Sequence, residues 1–153
     1  MIKKLDHTNV KIATEIRTVF QVSYAVEAEL LKAKEFPPLK RTINEFLESK
    51  NDYYGYLIDD VVGAVIEIIN NGKSIHIQSL VVDPKFFRQG IAQNLISYLF
   101  DSFDSEIYTV ETGAANQPAV TLYEKNGFME IEQYYAEFDI RKVRFERKIT
   151  TTP

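Results

Sequence analysis

The chain has 153 residues, of which 45% are hydrophobic and 26% are charged, and its net charge is −4. This length and composition predict one packed domain, residues 1–149, followed by a short C-terminal tail, residues 150–153. The sequence contains no cysteine, which excludes disulfides, cysteine-ligated metals and thiol nucleophiles.

The first part of the chain predicts a short strand followed by helices. Residues 1–6 favour the strand, and apolar residues then recur at roughly helical spacing as far as Leu31, which indicates one helix or a broken pair. Pro37 and Pro38 end this pattern, because each lacks an N–H and disfavours helical geometry in the residue before it. A second helix is expected at residues 41–49.

The central part is rich in β-branched and aromatic residues, and it predicts three consecutive strands. These strands cover residues 53–58, 61–69 and 74–82, with tight turns at residues 59–60 and 70–73. Adjacent strands joined by tight turns pair in the antiparallel sense. We therefore expect an antiparallel meander here.

The last part alternates helices with strands. Helices are predicted at residues 90–100 and 118–126, and strands at residues 106–111, 129–138 and 142–149. The complete order is β-α-α-β-β-β-α-β-α-β-β. This order predicts a domain of the α/β (α+β) class.

Residues 77–95 read as a strand, a short loop and the start of a helix. Gly90 and Ala92 fall in the first helical turn, where backbone N–H groups lack partners and the helix dipole is positive. Small residues there let a pyrophosphate approach the backbone, and Arg88 can add a cation. The alternative is an ordinary strand-to-helix connection, which Gly90 considered alone would favour.

Residues 111–128 contain a second motif, built around a short helix. Pro118 suits the first turn, where its missing N–H costs nothing, and Asn126-Gly127 supplies a C-terminal stop. The spacing places three residues on the inward face of this helix, namely Ala119, Leu122 and Tyr123.

Together the two motifs resemble the GNAT superfamily of acyl-CoA-dependent N-acyltransferases. The family's pyrophosphate loop has the form Gln/Arg-x-x-Gly-x-Gly/Ala, and its later signature resembles Asn-x-x-Ala-x-x-Leu-Tyr-x-x-x-Gly-Phe. The later signature is matched completely, from Asn116 to Phe128. The loop, Phe87-Arg88-Gln89-Gly90-Ile91-Ala92, departs only at Phe87, which removes one polar contact to the pyrophosphate.

The resemblance implies the GNAT fold, a mixed, mostly antiparallel sheet of seven strands flanked by about four helices and splayed between the fourth and fifth strands. Acetyl-CoA would be the co-substrate, with its pantetheine arm in the splay, where unpaired backbone groups can bind it like an added strand. The implied cofactor-binding residues are Leu80, Val81, Val82, Arg88, Gln89, Gly90, Ile91, Ala92, Asn116 and Tyr123.

The resemblance also assigns Tyr123 a catalytic role, because its phenol can give a proton to the departing CoA thiolate. The alternative for Tyr123 is a core aromatic, and the alternative for Asn116 is a residue that only caps the following helix. The attacking amine must lose a proton, and Glu67 or His76 could accept it directly or through a water. For these two we favour structural roles, a carboxylate on the solvent face and a half-buried ring bonded to a backbone carbonyl.

The predicted function is N-acetyl transfer from acetyl-CoA to a primary amine of a small molecule or peptide by direct attack. The alternative is a non-catalytic acyl-CoA-binding module that acts as a sensor or scaffold. Tyr24, Phe36, Tyr134 and Tyr135 are candidates to line an acceptor pocket, although packing is the more common role of such rings.

Metal, nucleic acid and membrane are not expected as partners. The two histidines lie in no metal-binding pattern, so no metal is predicted. The dispersed charges form no broad basic face for nucleic acid, and no apolar segment approaches the roughly 20 residues of a membrane span. Because no leader sequence is apparent, a cytoplasmic location is expected. Pairing of the last strands could form a homodimer.

Overall fold

The computed structural model describes residues 1–149, so the tail predicted at residues 150–153 lies outside the described residues. Its central feature is a mixed seven-stranded sheet in the order β1-β2-β3-β4-β5-β7-β6. Only β4 and β5 pair in parallel, which confirms the predicted mostly antiparallel sheet. The strands are β1 (Ile2–Lys4), β2 (Asp52–Ile58), β3 (Val61–Asn70), β4 (Ser74–Val82), β5 (Ile107–Gly113), β6 (Met129–Tyr135) and β7 (Arg141–Lys148).

The helices are α1 (Val10–Leu31), α2 (Ile43–Leu47), α3 (Ile91–Ser102) and α4 (Gln117–Lys125). The first is one continuous helix rather than a broken pair, and the Asn9 side chain caps it by accepting a hydrogen bond from the Ile12 N–H. The second begins later than predicted because Thr42 and Glu45 form a reciprocal capping box at its start. Caps thus set where these helices begin.

The two faces of the sheet carry separate apolar clusters. One packs α1 and α2 against the sheet through buried residues such as Ile16, Phe20 and Phe46, and the other packs α3 through residues such as Leu95 and Leu99. Burial of apolar side chains on both faces is the main favourable contribution to folding. The strands between the clusters, β2, β3 and β4, therefore form the rigid frame on which the site is built.

Left-handed backbone conformations at two turns determine where the adjoining strands end. Asp59 and Asp60 have φ of 51° and 63°, and a two-residue hairpin turn with positive φ at both positions matches the twist of the flanking strands. The strand predicted to reach residue 138 ends at Tyr135 instead. Phe138 and Asp139 adopt left-handed φ values of 59° and 56°, which no strand can accommodate.

Candidate active site

The parallel pair β4 and β5 separates partway along its length. Pairing runs over four positions, from Ser74 opposite Ile107 to Ile77 opposite Val110, and then stops, although both strands continue. A bulge in the β3–β4 pairing falls at the same place, since the register shifts between Glu67 and Ile68. The two strands thus diverge beyond this point, and their facing backbone N–H and C=O groups have no ladder partner across the opening.

A cavity of about 640 Å³ occupies this opening. It is bordered by β4 and β5 from their last paired positions onward, by α1 and the connection between α1 and α2, by α4, and by the β6–β7 hairpin. Of the aromatic candidates for an acceptor pocket, Tyr24 and Phe36 line it. Tyr134 and Tyr135, the other two candidates, are not among its lining residues.

The loop before α3 leaves backbone N–H groups available. Gly90 is the N-cap in a left-handed conformation with φ of 75°, and no side chain caps the helix. Arg88 is also left-handed, with φ of 64°, and the loop residues 87–90 are exposed. The space beside the Gly90 Cα is open, because a Cβ at this position would have no atom within 4 Å beyond its chain neighbours and its own helix. This geometry suits a group that must approach the backbone closely, such as a phosphate.

The cofactor-binding residues predicted from the sequence fall into three groups. Leu80, Asn116 and Tyr123 line the 640 Å³ cavity, while Gln89 and Ile91 line a second cavity of about 430 Å³. Five predicted residues line neither cavity, namely Val81, Val82, Arg88, Gly90 and Ala92. The loop at residues 87–90 and the opening between β4 and β5 are therefore separate parts of the surface, and the end of β4 connects them.

Asn116 and Tyr123 stand at the two ends of α4. The Asn116 side chain accepts a hydrogen bond of 3.3 Å from the Ala119 N–H, so it caps the helix as well as facing the cavity. Tyr123 is 5% exposed and packs against Phe128 and Phe145. Burial is the main reason that the pKa of Tyr123 is raised. Its phenol is therefore protonated at neutral pH, as a proton donor must be.

Glu67 is completely buried, so the expectation that it lies on the solvent face is wrong. Arg41 donates to its two oxygens at 2.7 and 2.9 Å, and Asn51 and Tyr53 donate to Oε2 at 2.8 Å each. Burial alone would raise the pKa of Glu67, but these hydrogen bonds and the Arg41 charge lower it. Glu67 is not among the residues that line the cavity.

His76 is half-buried, with its Nδ1 2.7 Å from the Thr109 hydroxyl oxygen. Its partner is thus a hydroxyl and not the backbone carbonyl that we expected. Burial is the main reason that the pKa of His76 is lowered, so the ring is neutral at neutral pH. His76 also lies outside the cavity lining.

Four carboxylates that the sequence did not single out line the cavity, namely Glu27, Glu45, Glu111 and Glu137. Glu111 follows Val110, the last residue of β5 that pairs with β4, and Arg144 donates to its Oε1 at 2.8 Å. Glu27 of α1 accepts a hydrogen bond of 3.1 Å from the Thr112 hydroxyl. Burial alone would raise the pKa of Glu111, but hydrogen bonds from Arg144 and Tyr134 lower it. The available signal for Glu111 was a charged residue at the last position of the strand predicted at residues 106–111.

Within residues 1–149, no three histidine, aspartate or glutamate side chains cluster closely enough to hold a metal ion. None of the helices in this range combines the length and apolarity needed to cross a bilayer.

Comparison with known proteins agrees with this geometry. Residues 15–128 match the sequence model of the Acetyltransferase (GNAT) family. The UPF0157 protein YqkA of Bacillus subtilis (strain 168) is 34% identical over 136 residues, which are 86% of the chain. The chain spans only 39% of the length of that curated relative.

Solved structures share the fold at low sequence identity. The ribosomal-protein-S18-alanine N-acetyltransferase of Escherichia coli superposes with a TM-score of 0.78 at 18% identity, covering 100% of this chain and 96% of that one. An aminoglycoside 6′-acetyltransferase type Ii gives 0.74 at 15%, covering 100% and 99%. The PaiA N-acetyltransferase of Thermoplasma acidophilum, solved with coenzyme A, gives 0.76 at 15%, covering 97% and 98%.

Proposed function

The chain belongs to the acetyltransferase (GNAT) family, as its two motifs indicated, and on that premise we propose that it transfers an acetyl group from acetyl-CoA to a primary amine. The acceptor is a small molecule or a peptide. The observation that carries the proposal is the cavity at the β4–β5 opening, which combines unpaired backbone groups with the Tyr123 side chain.

The pyrophosphate of acetyl-CoA is proposed to bind at the start of α3. Support comes from the uncapped N–H groups of its first turn, the open space beside Gly90 and the exposed Arg88. The pantetheine arm then follows β4 into the opening, where residues 78–82 remain beside β3 but have no strand partner on the β5 side.

Gly90→Glu tests this placement. The substitution strains the left-handed φ and puts a negative charge where a diphosphate would bind, while no internal clash arises because the space is open. We expect loss of acetyl-CoA binding by calorimetry with the thermal unfolding transition retained. A binding signal like that of the unsubstituted protein would refute the placement.

In the proposed reaction the amine nitrogen bonds to the acetyl carbon as the carbon–sulfur bond breaks. A backbone N–H near residues 80–82 stabilises the negative charge that develops on the carbonyl oxygen. Tyr123 gives its phenolic proton to the departing sulfur. The products are an amide and free CoA.

The proton of the acceptor ammonium is proposed to leave through Glu111, directly or by a water. Glu111 lines the cavity and its side chain is 23% exposed, whereas Glu67 is 0% exposed with both oxygens bonded by Arg41. His76 lies outside the lining. The geometry thus favours Glu111 over the two residues chosen from the sequence.

The cavity favours a cationic acceptor. Glu27, Glu45 and Glu137 line it and form no ion pair within residues 1–149. Of its three lining cations, Lys40 and Arg41 pair with Glu35 and Glu67, which leaves one, Lys142, without an ion pair in the same range. The rings of Phe20, Tyr24 and Phe36 add apolar and cation-attracting surface.

Release of free CoA thiol from acetyl-CoA, screened across polyamines, aminoglycosides, amino acids and peptides with free N-termini, tests the function. Release that requires one amine class, with an acetylated product of matching mass, is the expected result. Acetyl-CoA binding without release for any amine would instead favour the sensor or scaffold alternative.

A further inference from the structure

One wall of the cavity is a short connection between α1 and α2, residues 36–41, which we call the acceptor wall. Side chains of α1 hold its backbone. Arg17 Nε donates to the Arg41 carbonyl at 3.2 Å, and Gln21 Nε2 donates to the Leu39 carbonyl at 2.9 Å. Both carbonyls lie outside the main helices and strands, so these side chains supply partners that secondary structure does not.

A third contact continues the same line along α1. The Tyr24 ring packs edge-on against the Phe36 ring with 5.8 Å between centroids, and Phe36 is 6% exposed. Arg17, Gln21 and Tyr24 are spaced by four and three residues, so they lie on one face of the helix. One helix face therefore contacts the acceptor wall from end to end.

The C-terminal end of the acceptor wall is fixed from the opposite direction by the sheet. The Arg41 guanidinium forms a two-pronged ion pair with Glu67 of β3 at 2.7 and 2.9 Å. Asn51 and Tyr53 donate further hydrogen bonds to the same carboxylate. Among residues 1–149, no buried polar side-chain atom in this network lacks a hydrogen-bond partner.

Arg41 is also held by aromatic stacking. Its guanidinium carbon lies 4.1 Å from the centroid of the Phe46 ring and 5.6 Å from that of Phe20. A planar guanidinium bonded at its edge and stacked on its face has little freedom to turn. Arg41 also lines the cavity, so the same contacts hold one of the cavity's side chains in place.

We infer that Arg41 and Glu67 are a positioning pair that fixes the acceptor wall before the amine arrives, so that the acceptor site is preformed rather than closed by a mobile lid. The inference rests on the proposed function, since it treats residues 36–41 as contacting the acceptor. Loss of the pair should release the wall and weaken acceptor binding. It should leave the cofactor loop at residues 88–92 unchanged.

The test replaces the pair by apolar side chains, Arg41→Met with Glu67→Leu, since such replacements of buried ion pairs preserve folding more often than removal of one partner. We expect the KM for the acceptor to rise about tenfold, the change that corresponds to loss of one charge-assisted hydrogen bond. The acetyl-CoA Kd and kcat should change by less than about threefold. Hydrogen exchange of residues 36–41 should accelerate, while that of residues 88–92 should not.

Arg147→Met is the matched control. Arg147 also stacks on a phenylalanine, with its guanidinium carbon 4.2 Å from the Phe100 centroid, and donates to the Asn126 carbonyl at 2.8 Å. It does not line the cavity, so the acceptor KM and the exchange of residues 36–41 should not change. An equal KM rise in both variants would mean that any lost arginine contact has this effect, and would overturn the inference.

Gln21→Leu provides a second variant, because it removes only the bond to the Leu39 carbonyl and leaves the ion pair intact. If the double variant fails to fold, Gln21→Leu alone tests whether the acceptor wall must be fixed for the acceptor to bind. The expected rise in acceptor KM is about threefold, with faster exchange of residues 36–41. Unchanged KM and unchanged exchange would overturn the inference. Absence of CoA release in the unsubstituted protein would refute the proposed function instead, while the exchange measurement would still test the fixed wall.

Discussion

Two arginine–glutamate pairs near the cavity have the same chemistry and different surroundings. In the Arg41–Glu67 pair the side chains are 20% and 0% exposed, whereas in the Arg144–Glu111 pair they are 45% and 23% exposed. Glu67 Oε2 also accepts hydrogen bonds from Asn51 and Tyr53. The first pair joins a connecting segment to the sheet, and the second lies on two neighbouring strands.

This difference in exposure distinguishes a carboxylate with a structural role from one that can take part in proton transfer. A buried carboxylate with all its hydrogen bonds formed cannot accept another proton without losing partners, so it contributes geometry. A carboxylate that retains exposed surface in a cavity can exchange protons with a ligand or a water. We therefore expect changes at Glu67 to affect folding first and changes at Glu111 to affect turnover first.

The largest effect is expected for Glu67→Ala, which leaves the Arg41 charge without its partner. The free energy of unfolding should fall by about 3 kcal/mol, as measured by urea denaturation. Glu111→Ala is the matched change at the exposed pair and should cost less than about 1 kcal/mol. Equal losses in the two variants would remove the distinction between the pairs.

A second test contrasts two buried phenols, Tyr123 in the cavity and Tyr53 in the Glu67 network. Tyr123→Phe should lower kcat about a hundredfold or more, well beyond any change in the acetyl-CoA Kd, because the departing sulfur loses its proton donor. Tyr53→Phe should lower stability by about 1 kcal/mol and leave kcat nearly intact. Steady-state kinetics with calorimetry separates these outcomes, and an unaltered kcat in Tyr123→Phe would exclude the proton-donor role.

Much of the fold was predictable because its signals are local. The β2–β3–β4 meander followed from β-branched runs and tight turns, and Pro118 with Asn126-Gly127 marked α4 to within one residue at each end. The order of the elements then fitted one known fold. Cap chemistry shifted boundaries instead of altering elements, as the Thr42 capping box did for α2.

The site was predictable in part, from motifs and from aromatic candidates such as Tyr24 and Phe36, which line the cavity. Asn116 and Tyr123 were found through a contiguous pattern and do line the cavity. The burial of Glu67 could not be predicted, because its partner Arg41 lies 26 positions away in sequence and no local pattern indicates that the two meet. Glu111 was missed for a related reason, since its importance depends on where the β4–β5 pairing stops.

The third test addresses the exposed pair directly. Glu111→Gln keeps the size of the side chain and a hydrogen-bond acceptor for Arg144 but removes the proton-accepting carboxylate. We expect kcat to fall about a hundredfold near neutral pH, with partial recovery at higher pH as more of the acceptor is neutral. The pH–rate profile of both proteins provides the measurement. A profile that matches that of the unsubstituted protein would mean that another group accepts the proton.

The smallest effect is expected in the acid dependence of stability. The pKa of Glu67 is lowered below its ordinary 4.5, so the unfolded chain binds the proton more readily than the folded one. The stabilisation is therefore complete above about pH 4.5 and is lost as the pH falls through the lower folded pKa, by at most about 1.4 kcal/mol per pH unit for one group. The pKa of Glu111 is lowered as well, but its exposed surface weakens the coupling to folding. Urea denaturation between about pH 3 and 6 should thus show most of the acid loss retained in Glu111→Gln. If that variant instead removed most of the loss, the exposed pair and not the buried one would be the principal acid-sensitive contact.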